Sequence, residues 1–412
     1  MARPPRNGGG WRVLFVLSGL EPGGVETWLL DVVRRFRSTG GAGVECDFLT
    51  LLHEGGRYEP VLGALGCRVH HIRLHYSRLP IVVARMARLM KRGEYDVVHC
   101  HGDYVSGLVM LAARLAGRPR RVFHVHTTRF VFGPGAPLGR RLAGKLLRQA
   151  AVRFSNAALC CSGDARRAFF EGNGPRSAQV LYSGIDTSAF PADEAECRGS
   201  VRAELGLLPG TLLLLFVGRL AEEKNLGMLI DVMCSMRKRE RIRLLFVGDG
   251  PARARLEGDI AARGLGQSCM LLGFRTDVPR LMAAADVFVL PSRHEGLPLA
   301  LIHAQAAGLP IVASNVITRE AVVVPELFRW ASPCDPPERW AALVTEALEA
   351  GRRVSVRDAL HAVRCSPFEI GTSVCALLRA YGFEPTVSRP DETGADPVCE
   401  AEHDRTATGA KP

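Results

Sequence analysis

Glu295 carries the most chemically suggestive placement in this 412-residue sequence. It follows the apolar run Val287–Leu290 and the turn Pro291-Ser292-Arg293-His294, and it precedes Gly296-Leu297-Pro298 and a helix predicted through Ala307. Open α/β sheets bind ligands outside the carboxyl ends of their strands. The N–H groups and dipole of a following helix favour phosphate there. A first-turn acid that merely caps the helix would look the same. A second group, Gly218-Arg219-Leu220-Ala221-Glu222-Glu223-Lys224, comes directly after the predicted strand Leu212–Val217. Its Arg and Lys can converge on a diphosphate, one as a planar fork and one as a point charge. Alternatively they pair with Glu222 and Glu223 on a solvated loop. Third, Gly23-Gly24-Val25-Glu26 follows the strand Val13–Leu17, and its glycines allow backbone to approach a ligand closely. Fourth, Gly248-Asp249-Gly250-Pro251 follows Arg243–Val247 and reads as a ligand loop or a plain turn.

Each of these groups needs a strand end to hold it, and the chain supplies strands throughout. In the first half, short apolar runs fall at Val13–Leu17, Cys46–Leu51, Arg68–Ile72, Asp96–Cys100, Arg121–His126, Ala157–Cys161 and Gln179–Tyr182. In the second half they fall at Leu212–Val217, Arg243–Val247, Cys269–Leu272, Val287–Leu290 and Ile311–Ala313. Helical stretches such as Glu26–Arg37 and Ile81–Arg92 alternate with them, the pattern of parallel α/β domains whose strands are buried on both faces. The expected division is a flexible start at 1–10, a first Rossmann-like domain at 11–190 and a second at 191–365. A helix at 366–383 then crosses back to the first domain, and a disordered acidic tail occupies 384–412.

The formal charge is +11. The tail holds seven acidic and three basic residues and contributes −4, so the body carries +15. That sign suits nucleic acid, an anionic membrane or a phosphate-bearing substrate. Interleaved aromatic and basic residues of the kind that stack on single strands are absent, so nucleic acid is disfavoured. The stretch Gly139–Arg153, GRRLAGKLLRQAAVR, reads either as a basic helix lying on anionic lipid or as a helix with one buried and one solvated face. Leu297–Ser314 lacks charged residues but is broken by Pro298, Gly308 and Pro310, so no membrane span is expected. The short apolar run near the N-terminus does not read as a signal peptide. The 12 cysteines show neither zinc-site nor disulfide spacing and suit a reducing cytoplasm. Gly19–Gly24 lacks the G-x-G-x-x-G spacing, which disfavours a nicotinamide-dependent oxidoreductase.

Together the pieces resemble glycosyltransferase family 4, the retaining GT-B enzymes, nearest in flavour to those of bacterial capsular and exopolysaccharide assembly. The resemblance runs from about Val13 to Tyr381. It is carried in order by GGVETWL, HGDYVSG, HVHTT, YSGIDTSAF, FVGRLAEEKN, FVGDGP, GFRTDVPRLMAAADVFVLPS and EGLPLALIHAQAAGLP. It implies two Rossmann-like domains facing a cleft, and transfer from a nucleotide-diphosphate-sugar, as co-substrate, to a glycan or lipid-linked acceptor. No cofactor and no metal are implied. Arg219 and Lys224 match the pair that holds the donor diphosphate. Glu295 matches the first Glu of the E-x7-E motif and contacts the transferred sugar. Gly296 and Leu297 would offer backbone N–H groups, Gly23 and Gly24 match the loop approaching the diphosphate from the first domain, and His126 matches a histidine near the reacting sugar. His101 falls in a less clearly assigned loop. The implied setting is cytoplasmic, with a peripheral position at the inner membrane face left open by the basic helix.

The sequence departs from the family at the second acid of that motif, where it has His303. The family's carboxylate accepts hydrogen bonds from the nucleotide ribose, and a neutral histidine has one acceptor nitrogen. The expected consequence is weaker donor binding, because the ribose is remote from the reacting carbon. A catalytically impaired binding or regulatory protein on the same fold is the alternative reading.

Overall fold

The computed structural model describes residues 10–38, 43–102, 105–128, 137–170, 178–236, 239–383, 385–387 and 399–401. The alternation of apolar runs and helices folds into two parallel sheets. The first contains β1 (Trp11–Leu17), β2 (Val44–Thr50), β3 (Val69–His71), β4 (Val97–Cys100), β5 (Arg120–Val125), β6 (Ala157–Cys160) and β7 (Ala178–Val180), in the order β3-β2-β1-β4-β5-β6-β7. The second contains β8 (Leu212–Val217), β9 (Ile242–Val247), β10 (Cys269–Gly273), β11 (Val287–Leu290), β12 (Ile311–Ser314) and β13 (Phe328–Ala331), in the order β10-β9-β8-β11-β12-β13. Both sheets reverse their strand order once, between β1 and β4 and between β8 and β11, and such a reversal opens a crevice at the strands' carboxyl ends.

β1 shows why the apolar runs are continuous rather than alternating. Val13, Phe15 and Leu17 pack to one face with Trp28, while Leu14 and Val16 pack to the other with Met86 and Val109. Helices cover both faces, so every position along the strand is interior. The helix Gly24–Ser38 buries Trp28, Leu29, Val32, Val33 and Phe36, a helical spacing, and places Glu26 in its first turn and Arg35 and Arg37 in its last.

The expected crossover is present, four residues shorter at its start than the sequence reading placed it. The helix spans Ile370–Tyr381 because the Glu369 carboxylate accepts a hydrogen bond from the Thr372 N–H and caps it there. It packs on helix Gly24–Ser38 of the first domain: Trp28 Nε1 donates to Ser373 Oγ at 2.9 Å, and Arg120 Nε donates to the Ala380 carbonyl at 2.9 Å. The polar stretch between the domains carries a helix of its own, Glu194–Glu204, N-capped by Asp193 and belonging to the second domain through Arg198, whose guanidinium reaches the carbonyls of Ala284 and Ala285 at 2.9 Å.

Three expectations need correction. The sequence reading lacked β13, a four-residue edge strand paired with β12. The tail expected to be without structure forms a short antiparallel pair, Pro385–Val387 with Cys399–Ala401, where backbone pairing is set by partners that composition does not reveal. Cys375 is disulfide-bonded, although its spacing gave no sign of it. The start expected to be flexible, 1–10, lies outside the described residues except for Gly10, as does the rest of the tail. Among the described residues no helix is long and apolar enough to cross a membrane.

Candidate active site

The loop after β8 is braced by the loop after β9. Gly218 N–H donates to the Val247 carbonyl, Leu220 N–H to that of Asp249, and Ala252 N–H to that of Leu220, each at 2.9 Å. A Cβ at Gly248, whose φ is +138°, would lie 1.9 Å from the Gly218 oxygen. The Gly-Asp-Gly-Pro segment is therefore a turn that holds the Arg219 loop in place. Asp249 itself pairs across the cleft with Arg57 at 2.6 Å.

Arg219 is exposed at the mouth of the cleft. Lys224 ends a single 3-10 turn, Glu222–Lys224, which stops because Asn225 adopts the left-handed region at φ 54°. Its ammonium bonds not to Glu222 or Glu223 but to Glu295 Oε1, at 2.6 Å, with side chains 16% and 8% exposed. Arg293 N–H donates to the Glu223 carbonyl at 2.8 Å, tying the two loops together. Glu295 is thus no mere helix cap: it lies on the loop before the helix Leu299–Ala306 and faces a cation.

Gly296 passes so close to the first domain that a Cβ would sit 2.0 Å from the His126 carbonyl oxygen. Only glycine fits this approach. Thr128 Oγ1 donates to the Glu295 carbonyl at 3.3 Å from the same side. His303 lies one turn into the helix. Its Nδ1 is 3.0 Å from the Leu299 carbonyl, so Nδ1 carries the hydrogen and Nε2 is left as an acceptor. Burial holds its pKa below the usual histidine range, and the ring is neutral.

From the first domain, Gly23 and Gly24 stand at the start of helix Gly24–Ser38, with Thr27 N–H on the Gly23 carbonyl at 3.0 Å. The neighbouring Glu26 carboxyl is pushed up to about 7 by burial, an effect opposed by its own backbone and by the charge of Arg219. His126 follows β5, and burial takes its pKa down to about 3. Its Nε2 is 2.9 Å from His101 Nδ1.

Gly23, Gly24, His126, Arg219, Lys224, Glu295, Gly296, Leu297 and His303 all line one cleft of about 510 Å³ between the domains. His101 lies behind His126 and does not line the cleft. The cleft also takes in Asp31, Asp186 and Arg275, which the sequence reading did not single out. Arg275 follows the end of β10 by two residues, the same strand-end placement that marked the others, and Asp277 grips it through two bonds of 2.7 Å. A second cavity of about 460 Å³ lies between the edge strand β3 and helix Leu79–Gly93, and Arg68, Arg85, Arg88 and Arg92 make it basic. None of the expected site residues lines it.

Comparison with known proteins follows the same division. The family profile described as "Glycosyltransferase Family 4" matches residues 22–189, and that described as "Glycosyl transferases group 1" matches residues 198–359. A Bacillus subtilis (strain 168) protein bearing the name glycosyltransferase EpsF is 31% identical, over 90% of this chain and 96% of its own length. An Escherichia coli protein named UDP-Gal:alpha-D-GlcNAc-diphosphoundecaprenol alpha-1,3-galactosyltransferase is 31% identical over 56% of this chain and 60% of its own. The fold is similar to that of Anabaena Alr3699/HepE, solved in complex with UDP-glucose, at a TM-score of 0.75 and 21% identity over 90% of this chain and 99% of the other.

Proposed function

Because the chain belongs to glycosyltransferase family 4 and is a GT-B glycosyltransferase, we propose that it moves a sugar, with retention of configuration, from a nucleotide-diphosphate donor to a glycan or lipid-linked acceptor of cell-surface polysaccharide. The observation that carries this reading is the meeting of Arg219, Lys224 and Glu295 with Gly23, Gly24 and His126 in one cleft, at the order reversals of both sheets. The UDP-glucose complex of the Anabaena protein supports a nucleotide-sugar donor. The acceptor named for the E. coli relative supports one carried on a lipid diphosphate.

The donor nucleotide binds mainly to the second domain. Arg219 and Lys224 neutralise the departing diphosphate, and charge stabilisation of this kind is usually the largest contribution to catalysis. Glu295 orients Lys224 and contacts the transferred sugar. The Gly296 and Leu297 N–H groups face sugar or phosphate, helped by the N-terminus of helix Leu299–Ala306. Two cations and these donors suffice for the diphosphate, so no divalent ion is assigned to it. The acceptor hydroxyl attacks the face the diphosphate leaves, and its proton passes to the departing phosphate oxygen. His303 Nε2 accepts one ribose hydroxyl. The neutral His126 contributes a hydrogen bond near the reacting sugar.

A peripheral contact with anionic lipid is part of the proposal. Helix Leu138–Phe154 turns the small residues Gly144 and Ala151 inward and leaves Leu138, Leu142 and Leu146 at 79%, 58% and 58% exposure, four residues apart and flanked by Arg140, Arg141 and Lys145. An apolar stripe edged with cations is what an interfacial helix presents to a membrane.

The test is to screen UDP-, GDP- and ADP-sugars for donor hydrolysis and transfer, then to compare Glu295→Ala and Lys224→Ala. Loss of transfer in both folded variants supports the assignment. Transfer at the wild-type rate in either refutes it, and failure of every nucleotide to stabilise the protein would favour a non-catalytic binding role.

A further inference from the structure

We propose that His99, His101 and His124 form a binding site for a transition-metal cation of the zinc class, set in the first domain behind His126. β4 and β5 run side by side with His99 opposite Val122 and Cys100 opposite Phe123, which brings His101 level with His124. Residues two apart on a strand share a face, so His99, His101, His124 and His126 gather on one side of the sheet. Their rings are close: 4.0 Å between the centroids of His99 and His101, and 5.5 Å between those of His99 and His124. One ring nitrogen from each of His99, His101 and His124 lies within 4.8 Å of the other two. A tetrahedral zinc centre with Zn–N bonds of about 2.1 Å needs separations of about 3.4 Å, so binding would draw the three rings closer together.

What points to a ligand is the number of buried nitrogens left without partners. Among the described residues, His99 Nε2 and His101 Nε2 make no hydrogen bond, the backbone of Leu181 takes at most one ring nitrogen of His124 and leaves the other, and His99 and His124 are 0% exposed. Each such group costs about 1–3 kcal/mol if left alone, so a cluster of them calls for an occupant. The outer contacts fit a cation. His99 Nδ1 is 2.8 Å from the Tyr381 hydroxyl and His101 Nδ1 is 2.9 Å from His126 Nε2. In the tautomers in which each Nδ1–H donates to these partners, the Nε2 lone pairs of both rings are free to bind, the arrangement in which outer partners orient ligating histidines. Three imidazoles with no carboxylate or thiolate among them suit zinc, copper or nickel rather than calcium or magnesium.

A bound ion would fix His101 with its Nδ1–H directed at His126 Nε2. The His126 Nδ1–H would then face the cleft as a donor. The site lies apart from Arg219 and Lys224, which are on the other domain, and it does not rest on the assignment of the donor.

The experiment uses untagged full-length protein freed of metal with a chelator and titrated with Co²⁺, followed by competition with Zn²⁺. One equivalent of Co²⁺ with the visible absorption of a tetrahedral nitrogen-ligated centre is expected. His124→Gln should weaken binding by more than 100-fold, and Tyr381→Phe, which removes only an outer contact, by roughly 10- to 100-fold. His70→Ala/His71→Ala, in the separate basic cavity, should leave it unchanged. Absence of a one-to-one complex in the wild-type protein overturns the proposal whether or not the variants fold. So does a complex that survives both His99→Gln and His124→Gln.

Discussion

Replacing His303 by alanine should weaken nucleotide binding modestly and leave turnover intact. The Leu299 carbonyl takes the Nδ1–H, so the ring has one acceptor, Nε2, to offer a ribose hydroxyl. A neutral hydrogen bond is worth about 0.5–1.5 kcal/mol net, which predicts a Kd for the cognate nucleotide diphosphate raised roughly 2- to 13-fold in His303→Ala. His303→Glu restores an anionic acceptor. A hydrogen bond to a charged group is worth about 1.5–3 kcal/mol, so this variant should bind roughly 13- to 160-fold more tightly than His303→Ala, less whatever the nearby negative charge of Asp186 takes back. Burial keeps the wild-type ring neutral, so wild-type affinity should be flat from pH 7 upward. Isothermal titration with UDP, GDP and ADP gives the three Kd values, and steady-state kinetics with the matching sugar nucleotide separate KM from kcat. The expected order of affinity is Glu, His, Ala at similar kcat. Equal affinities in all three folded proteins, or a loss confined to kcat, would refute the placement of the ribose against this residue.

Lys224→Ala should lower kcat by roughly 10²–10³, the usual effect of removing one preorganised donor to developing charge. Adding Glu295→Ala to it should cost less than the two single effects combined, because the side chains bond each other at 2.6 Å; additive kinetics would contradict that coupling. Glu26, raised from 4.5 to about 7, binds a proton in the native state that the unfolded chain releases. Its contribution is therefore full below pH 4.5 and is lost as pH rises through 7, by at most on the order of 3 kcal/mol. Urea unfolding from pH 4.5 to 8 should show this fall and Glu26→Gln should flatten it; identical slopes would reject it. Leu142→Ser/Leu146→Ser should reduce flotation with anionic vesicles at least several-fold without changing the melting temperature, and unchanged flotation would remove the membrane contact from the proposal.

Strand ends make the cleft legible in the sequence. Arg219, Lys224 and Glu295 were found because each lies just past an apolar run, and parallel sheets put such positions on one edge. Histidines 99, 101, 124 and 126 gave a weaker signal. The two pairs are 25 residues apart, and only the pairing of β4 with β5 makes them one cluster. For the basic helix the sequence leaves two faces open, one for lipid and one for the core. The packing decides which way the side chains turn: a Cβ on Gly107 would lie 2.2 Å from the Leu147 carbonyl oxygen. So close a packing of helices Val105–Leu115 and Leu138–Phe154 puts Gly144 and Ala151 inside and leaves Leu138, Leu142 and Leu146 turned out. β13 is hard to read from sequence because Phe328-Arg329-Trp330-Ala331 is short and interrupted by an arginine, and its strand state comes from the neighbour it pairs with.

The returning helix has a consequence for how the polypeptide is made. His99 and Tyr381, which touch in the finished protein, are 282 residues apart in the chain. At about 5–20 residues per second of synthesis, roughly 14 to 56 seconds separate the emergence of one from that of the other. For that interval the nascent first domain must wait with Trp28 lacking its partner Ser373 and with the face later covered by Ile370–Tyr381 open to water. The last step in completing the first domain thus comes after the second has been translated. A chain ending near residue 365 would lack the covering helix altogether and leave this face of the first domain exposed.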